Sequence, residues 1–214
     1  VTIATGDTKV VAHGQCDGLY INTAGIGELM TGFALSPDNI RTGDVVLVSG
    51  PLADHGMAVL ACRQNIQIEN GPASDTAPVH RLVLAAREFA AGVRFMRDPT
   101  RGGAATVLNE IAEDRAIDVV LNEHDIPLSL GTRAVSEMLG MDPLHVASEG
   151  RVILIASPDA GSRALAAWRA MPEGRGAAAI GTIAAGKGRV ILETVAGGRR
   201  LVDVPRGELL PRIC

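Results

Sequence analysis

From Val45 onward the chain alternates short runs that are apolar at almost every position with longer stretches whose apolar residues recur every three or four positions. That alternation restricts it to helices layered on a sheet, an α/β (α+β layered) fold. Val45-Val46-Leu47-Val48 reads as a buried strand closed by Ser49-Gly50-Pro51. Residues 117–121, 151–156 and 190–193 read as further strands, and helices are predicted over 57–64, 77–93, 103–114, 131–139 and 159–170. The second of these helices carries Val79, Leu82, Val83, Ala86, Phe89 and Ala90 on one face, with Asp75 or Thr76 placed to cap its start.

The stretch before this region has another character. Val1-Thr2-Ile3-Ala4-Thr5 has no initiator Met and the β-branched content of a strand already under way, so it reads as a cut inside a larger protein. Residues 10–28 alternate short apolar runs with Gly, Asp and Asn, the pattern of strands joined by tight turns. A polar connection at 38–44 places the domain boundary there, giving units 1–43 and 44–196. Residues 197–214 hold glycines and prolines and predict an extended, mobile tail that ends at Cys214.

Composition narrows the function. With 214 residues and 47% hydrophobic side chains, the chain can bury a sizeable core without disulfides or metals. Aromatic content of 2% and interspersed charges summing to −4 exclude a base-stacking surface or a basic stripe, and with them nucleic-acid binding. No apolar run is long enough to span a bilayer, which makes the cytoplasm the expected location. Cys16, Cys62 and Cys214 are too few and too scattered for a disulfide framework. No two of the five histidines have zinc-ligand spacing; His55, in Asp54-His55-Gly56, is either structural or the one best placed to line a site, the structural reading being the stronger.

Four features have the chemistry of a site. Cys214, as the last residue of a tail, is either a travelling thiol that carries a covalent group or merely the chain end. Asp98-Pro99-Thr100-Arg101-Gly102-Gly103 precedes a helical pattern, so it is either an anion and cation site at a helix N-terminus or a helix cap. Gly6-Asp7-Thr8-Lys9 offers a carboxylate, a hydroxyl and an ammonium, the groups that Mg²⁺ and a phosphate need, or a plain surface turn. Ser148-Glu149-Gly150 puts one carboxylate before a strand, as a base or as part of a turn.

Taken in order, residues 6–11, 17–27, 54–56, 98–103, 108–112 (Leu-Asn-Glu-Ile-Ala), 148–150 and the terminal Pro-Arg-Ile-Cys resemble the HypE family of hydrogenase maturation proteins. The resemblance covers the whole chain but only about the last two thirds of a typical member, and Ser148 stands where the family has Asn. It implies a two-domain architecture shared with aminoimidazole ribonucleotide (AIR) synthetase, selenophosphate synthetase and thiamine monophosphate kinase, with residues 1–43 as the end of a nucleotide-binding domain. The implied activity is ATP-dependent dehydration of a thiocarboxamide on Cys214 to a thiocyanate, the source of the cyanide ligand of a [NiFe] centre. A carbamoyltransferase, HypF, would load Cys214, and the HypC–HypD iron scaffold would receive the cyanide. Glu149 assisted by Lys9 is the implied base; Asp7, Thr8, Asp98, Thr100 and Asn109 are the implied nucleotide contacts, with Asp7 and Asp98 on Mg²⁺. Members form homodimers. The rival expectations are another ATP-dependent synthetase of the superfamily, and an inert module that only docks the carbamoyltransferase.

Overall fold

The computed structural model describes residues 2–204. These fall into two compact units, which divide between Met30 and Thr31.

The second unit holds a seven-stranded sheet. Its strands are β1 (Val45–Val48), β2 (Val93–Arg97), β3 (Ile117–Asn122), β4 (Ile153–Ala156), β5 (Ala178–Ala185), β6 (Arg189–Glu193) and β7 (Arg199–Leu201), in the order β2-β4-β1-β5-β3-β6-β7. Every neighbouring pair is antiparallel except β3 with β6. Among the described residues five α-helices accompany it: α1 (Asp54–Arg63), α2 (His80–Arg87), α3 (Gly103–Arg115), α4 (Leu130–Leu139) and α5 (Pro158–Arg169).

The central strands are apolar throughout because both of their faces are covered. Val46, Val48, Ile153 and Ile155 point to one side, where they pack with Leu108 and Ile111 of α3. Leu47, Leu154 and Ala156 point to the other, where Leu82 and Ala86 of α2 meet Ala164 and Trp168 of α5. Trp168 is fully buried, and its indole N–H donates to Leu82 O at 2.9 Å. A smaller cluster joins α1 and α4 through Met57, Leu60, Val135 and Val146.

Several expectations change. The helix expected over 77–93 is α2 alone, which starts after Pro78 and ends at Arg87; a 3-10 turn at Ala90–Gly92 then leads into β2. Neither Asp75 nor Thr76 caps it, the N-cap being Val79 with no side-chain hydrogen bond. Residues 31–44 belong to the second unit: Ile40 lies in its core, and Gly43 N–H donates to Ile183 O at 2.8 Å. In the first unit, residues 10–28 form no strand. A strand needs a partner for its backbone groups, and Val10, Leu19, Ile21 and Leu29 lie exposed. Among the described residues no helix is long and apolar enough to cross a membrane.

Candidate active site

The loop from Asp98 to Gly102 joins β2 to α3. Gly102, in the left-handed region at φ 72°, is the N-cap of this 13-residue helix, and no side chain caps it. Neither Asp98 nor Thr100 is therefore a cap; Thr100 contributes its carbonyl, which accepts from Gly103 N–H at 2.8 Å. Gly103 cannot carry a side chain, since a Cβ there would sit 2.5 Å from Leu144 O and 2.7 Å from Val146 O. The glycine pair thus lets the helix start abut residues 144–146. What remains is a helix N-terminus, with its positive end and donor groups, preceded in the chain by an exposed carboxylate, Asp98.

Residues 146–150 are gripped from three sides. Ser148 N–H donates to Pro99 O at 3.0 Å, tying this segment to the loop above. The Ser148 hydroxyl accepts from Ala53 N–H at 2.8 Å, so the Ser that stands in place of Asn has a defined, buried role. Gly56 N–H donates to Ala147 O at 3.0 Å, and a Cβ on Gly56 would lie 2.4 Å from Val146 Cγ1. On the third side, Glu149 N–H donates to Asp75 Oδ1 at 2.8 Å.

Glu149 and Asp98 then line one cavity of about 330 Å³, together with Arg151 and an apolar wall that includes Val79, Val83 and Met96. Two of the residues singled out in the sequence, from motifs fifty residues apart, meet there. Oxygen donors from a carboxylate beside an uncapped helix start suit a hard divalent cation and a phosphate chain. Among the described residues, no three His, Cys, Asp or Glu side chains converge to enclose a metal ion. A magnesium ion held mainly by phosphates and one or two carboxylates does not require such a cluster.

Asp75 and Arg151 escaped the sequence reading. Asp75 looked like a cap because it precedes a helical pattern; its only distinguishing mark is the pair of hydroxyls, Ser74 and Thr76, on either side. In the fold its side chain is buried, with Oδ2 3.6 Å from Arg151 Nε and without a hydrogen-bond partner. Burial pushes the Asp75 carboxyl above the usual carboxylate range, the Glu149 N–H and the Arg151 and His55 charges draw it back, and nearby Asp54 adds to the rise. His55 Nδ1 lies 2.9 Å from Ser74 Oγ and 3.4 Å from Thr76 Oγ1, while Nε2 is buried without a partner. Asp54 Oδ1 accepts from the Ser129 and Thr132 hydroxyls, each at 2.6 Å. Asp54-His55-Gly56 therefore buttresses the 74–76 and 146–150 segments.

Each of the other expected site residues has its own setting. Asn109 is buried in α3 and does not line the cavity; its amide donates to Ala105 O and to Val202 O, both at 2.8 Å, which fastens α3 to the segment after β7. Asp7, Thr8 and Lys9 are exposed in the first unit, where Asp7 Oδ1 accepts from Thr8 N–H and Thr8 and Lys9 line a concavity with His13 and Asp17. Of the tail expected over 197–214, Arg199–Leu201 instead form β7, paired with β6, and Val202 is buried, while Cys214 and the rest from 205 lie outside the described residues.

Residues 41–193 match the family "AIR synthase related protein, C-terminal domain". The whole chain is 50% identical over 216 residues to the carbamoyl dehydratase HypE of Bradyrhizobium diazoefficiens, and spans 62% of that protein. A solved structure of a hydrogenase maturation protein HypE in complex with ATP superposes with a TM-score of 0.81 at 38% identity, over 88% of this chain and 58% of that one. The HypE–HypF complex aligns at a TM-score of 0.79 and 34% identity, over 83% of this chain and 58% of that one. The chain thus spans about 62% of the length of the curated relatives it matches.

Proposed function

Because this chain belongs to the AIR synthase-related family, we propose that it serves hydrogenase maturation by the ATP-dependent dehydration of a thiocarboxamide on Cys214 to a thiocyanate. The carrying observation is the cavity that Asp98 and Glu149 line together. Identity of 50% along the full chain to a carbamoyl dehydratase, and the terminal Cys, support the same reading.

The reaction removes water from R–S–C(=O)–NH₂ to leave R–S–C≡N. An amide oxygen is a poor leaving group; ATP supplies the phosphoryl group that lets it depart as phosphate, with Mg²⁺ countering the charge on the phosphates. The chain's residues do the rest. The N-terminus of α3 and Asp98 hold the phosphates and the cation, with Thr100 shaping the loop. Glu149 takes protons from the amide nitrogen, which must lose two in all. The apolar wall of Val79, Val83 and Met96 keeps water from the activated group.

Asp7 and Thr8 contribute phosphate and metal contacts and Lys9 assists charge neutralisation, as the resemblance implies. Asn109 supports α3 through Val202. HypF loads Cys214, the HypC–HypD scaffold takes the cyanide, and the protein acts as a cytoplasmic homodimer. The complex of HypE with HypF supports the first of these partners.

Glu149→Gln and Asp98→Asn test the reading in the full chain. Glu149→Gln lowers dehydration by on the order of 10²-fold or more while Cys214 is still carbamoylated. Asp98→Asn weakens ATP binding measured by calorimetry. A Glu149→Gln protein that dehydrates at the wild-type rate overturns the assignment of the base.

A further inference from the structure

We propose that Asp75 is the positioning residue for Glu149, holding the base at the cavity through the backbone; the inference rests on the reading of Glu149 given above.

Glu149 has a flexible side chain, so the direction of its carboxylate depends on how firmly its main chain is held. Asp75 holds it in two independent ways. Its Oδ1 accepts the Glu149 N–H at 2.8 Å, in a site where the Asp75 side chain is almost wholly buried. Its own carbonyl lies against the next residue so closely that a Cβ on Gly150 would come within 1.9 Å of Asp75 O and 2.8 Å of Ala77 N. The 74–77 segment and residues 149–150 therefore form one packed unit.

That unit is braced at both ends. Arg151, two residues after Glu149 and itself a cavity residue, places Nε 3.6 Å from Asp75 Oδ2 while donating to Pro51 O at 2.9 Å. On the far side, His55 meets the hydroxyls of Ser74 and Thr76, the residues flanking Asp75. The charged and titratable groups that bear on Asp75 are thus Arg151, Asp54 and His55, with Glu149 contributing its N–H. A turn at 148–150 needs none of this; a carboxylate that must point at one proton does, because a misplacement of about 1 Å can cost 10²-fold in rate.

The test compares wild type, Asp75→Ala and Asp75→Asn in the full chain. Each is loaded with a carbamoyl group on Cys214 and followed by intact mass for loss of water as ATP is varied. Asp75→Ala is expected to lower the maximal rate about 10- to 100-fold while the ATP concentration at half-maximal rate stays within about 2-fold. Asp75→Asn, which keeps an acceptor for Glu149 N–H, is expected to recover most of that loss. If Asp75→Ala does not fold, as judged by circular dichroism, Asp75→Leu, close in size but without an acceptor for Glu149 N–H, takes its place: a 10- to 100-fold loss of rate supports the proposal and a wild-type rate overturns it. Equal rates in wild type and Asp75→Ala overturn the proposal and leave Glu149 as the base. Absence of water loss in wild type itself overturns the dehydration reading, and this proposal with it.

Discussion

Asp118, on β3, shows how a single carboxylate can be committed to the fold. The Arg189 guanidinium donates to it at 2.6 Å, and the N–H groups of Lys187 and Arg189 converge on Oδ1 at 2.8 and 3.1 Å. These contacts, the Arg189 hydrogen bond first, hold its carboxyl below the usual carboxylate range despite burial. A depressed native value means stabilisation that is present above the unfolded value and lost as pH falls through the native one. Thermal unfolding of wild type and Asp118→Asn from pH 7 to pH 3 is therefore expected to show a melting-temperature gap that is widest at neutral pH and closes below about pH 4. A gap independent of pH would contradict this. The residues of the proposed site were only partly legible in the sequence. Asp98 and Glu149 stand in motifs whose glycines are required by close backbone approach, whereas Asp75 acts through a partner 74 residues away that no local pattern announces.

At the scale of elements, β1, β3, β4 and β6 were legible because their runs are apolar and β-branched. β5 was not. Its Ala-Ala-Ile-Gly-Thr-Ile-Ala-Ala has the composition of a helix or loop, and its place between β1 and β3 selects small residues: a Cβ on Gly181 would approach Val120 O to 2.2 Å. β2 was hidden at the end of an apolar periodicity that continues through Phe89 beyond the true end of α2. Helices on the outer layer depend on one another through Trp168, which α5 inserts against α2 with its N–H on Leu82 O. Trp168→Ala is expected to cost about 3–5 kcal/mol in urea unfolding, with faster amide exchange in α2 and α5 together. Loosening confined to α5 would show that the two helices are not one cooperative layer.

Across the whole molecule, the helix-and-sheet unit was foreseeable from its alternating pattern, while the first unit was not. A strand-like sequence takes strand form only with a neighbour to pair with, and the exposed Ile3, Val10, Leu19 and Leu29 have none among the described residues. The proposed function joins the cavity of the second unit to a group carried by Cys214, the last residue of the chain. The most direct test is intact-mass spectrometry of the C-terminal peptide after incubation with HypF, carbamoyl phosphate and ATP, followed by further Mg-ATP. Cys214 is expected to gain the mass of a carbamoyl group and then lose the mass of one water, and Cys214→Ala to show neither change. A carbamoyl group that is gained but never dehydrated would contradict it.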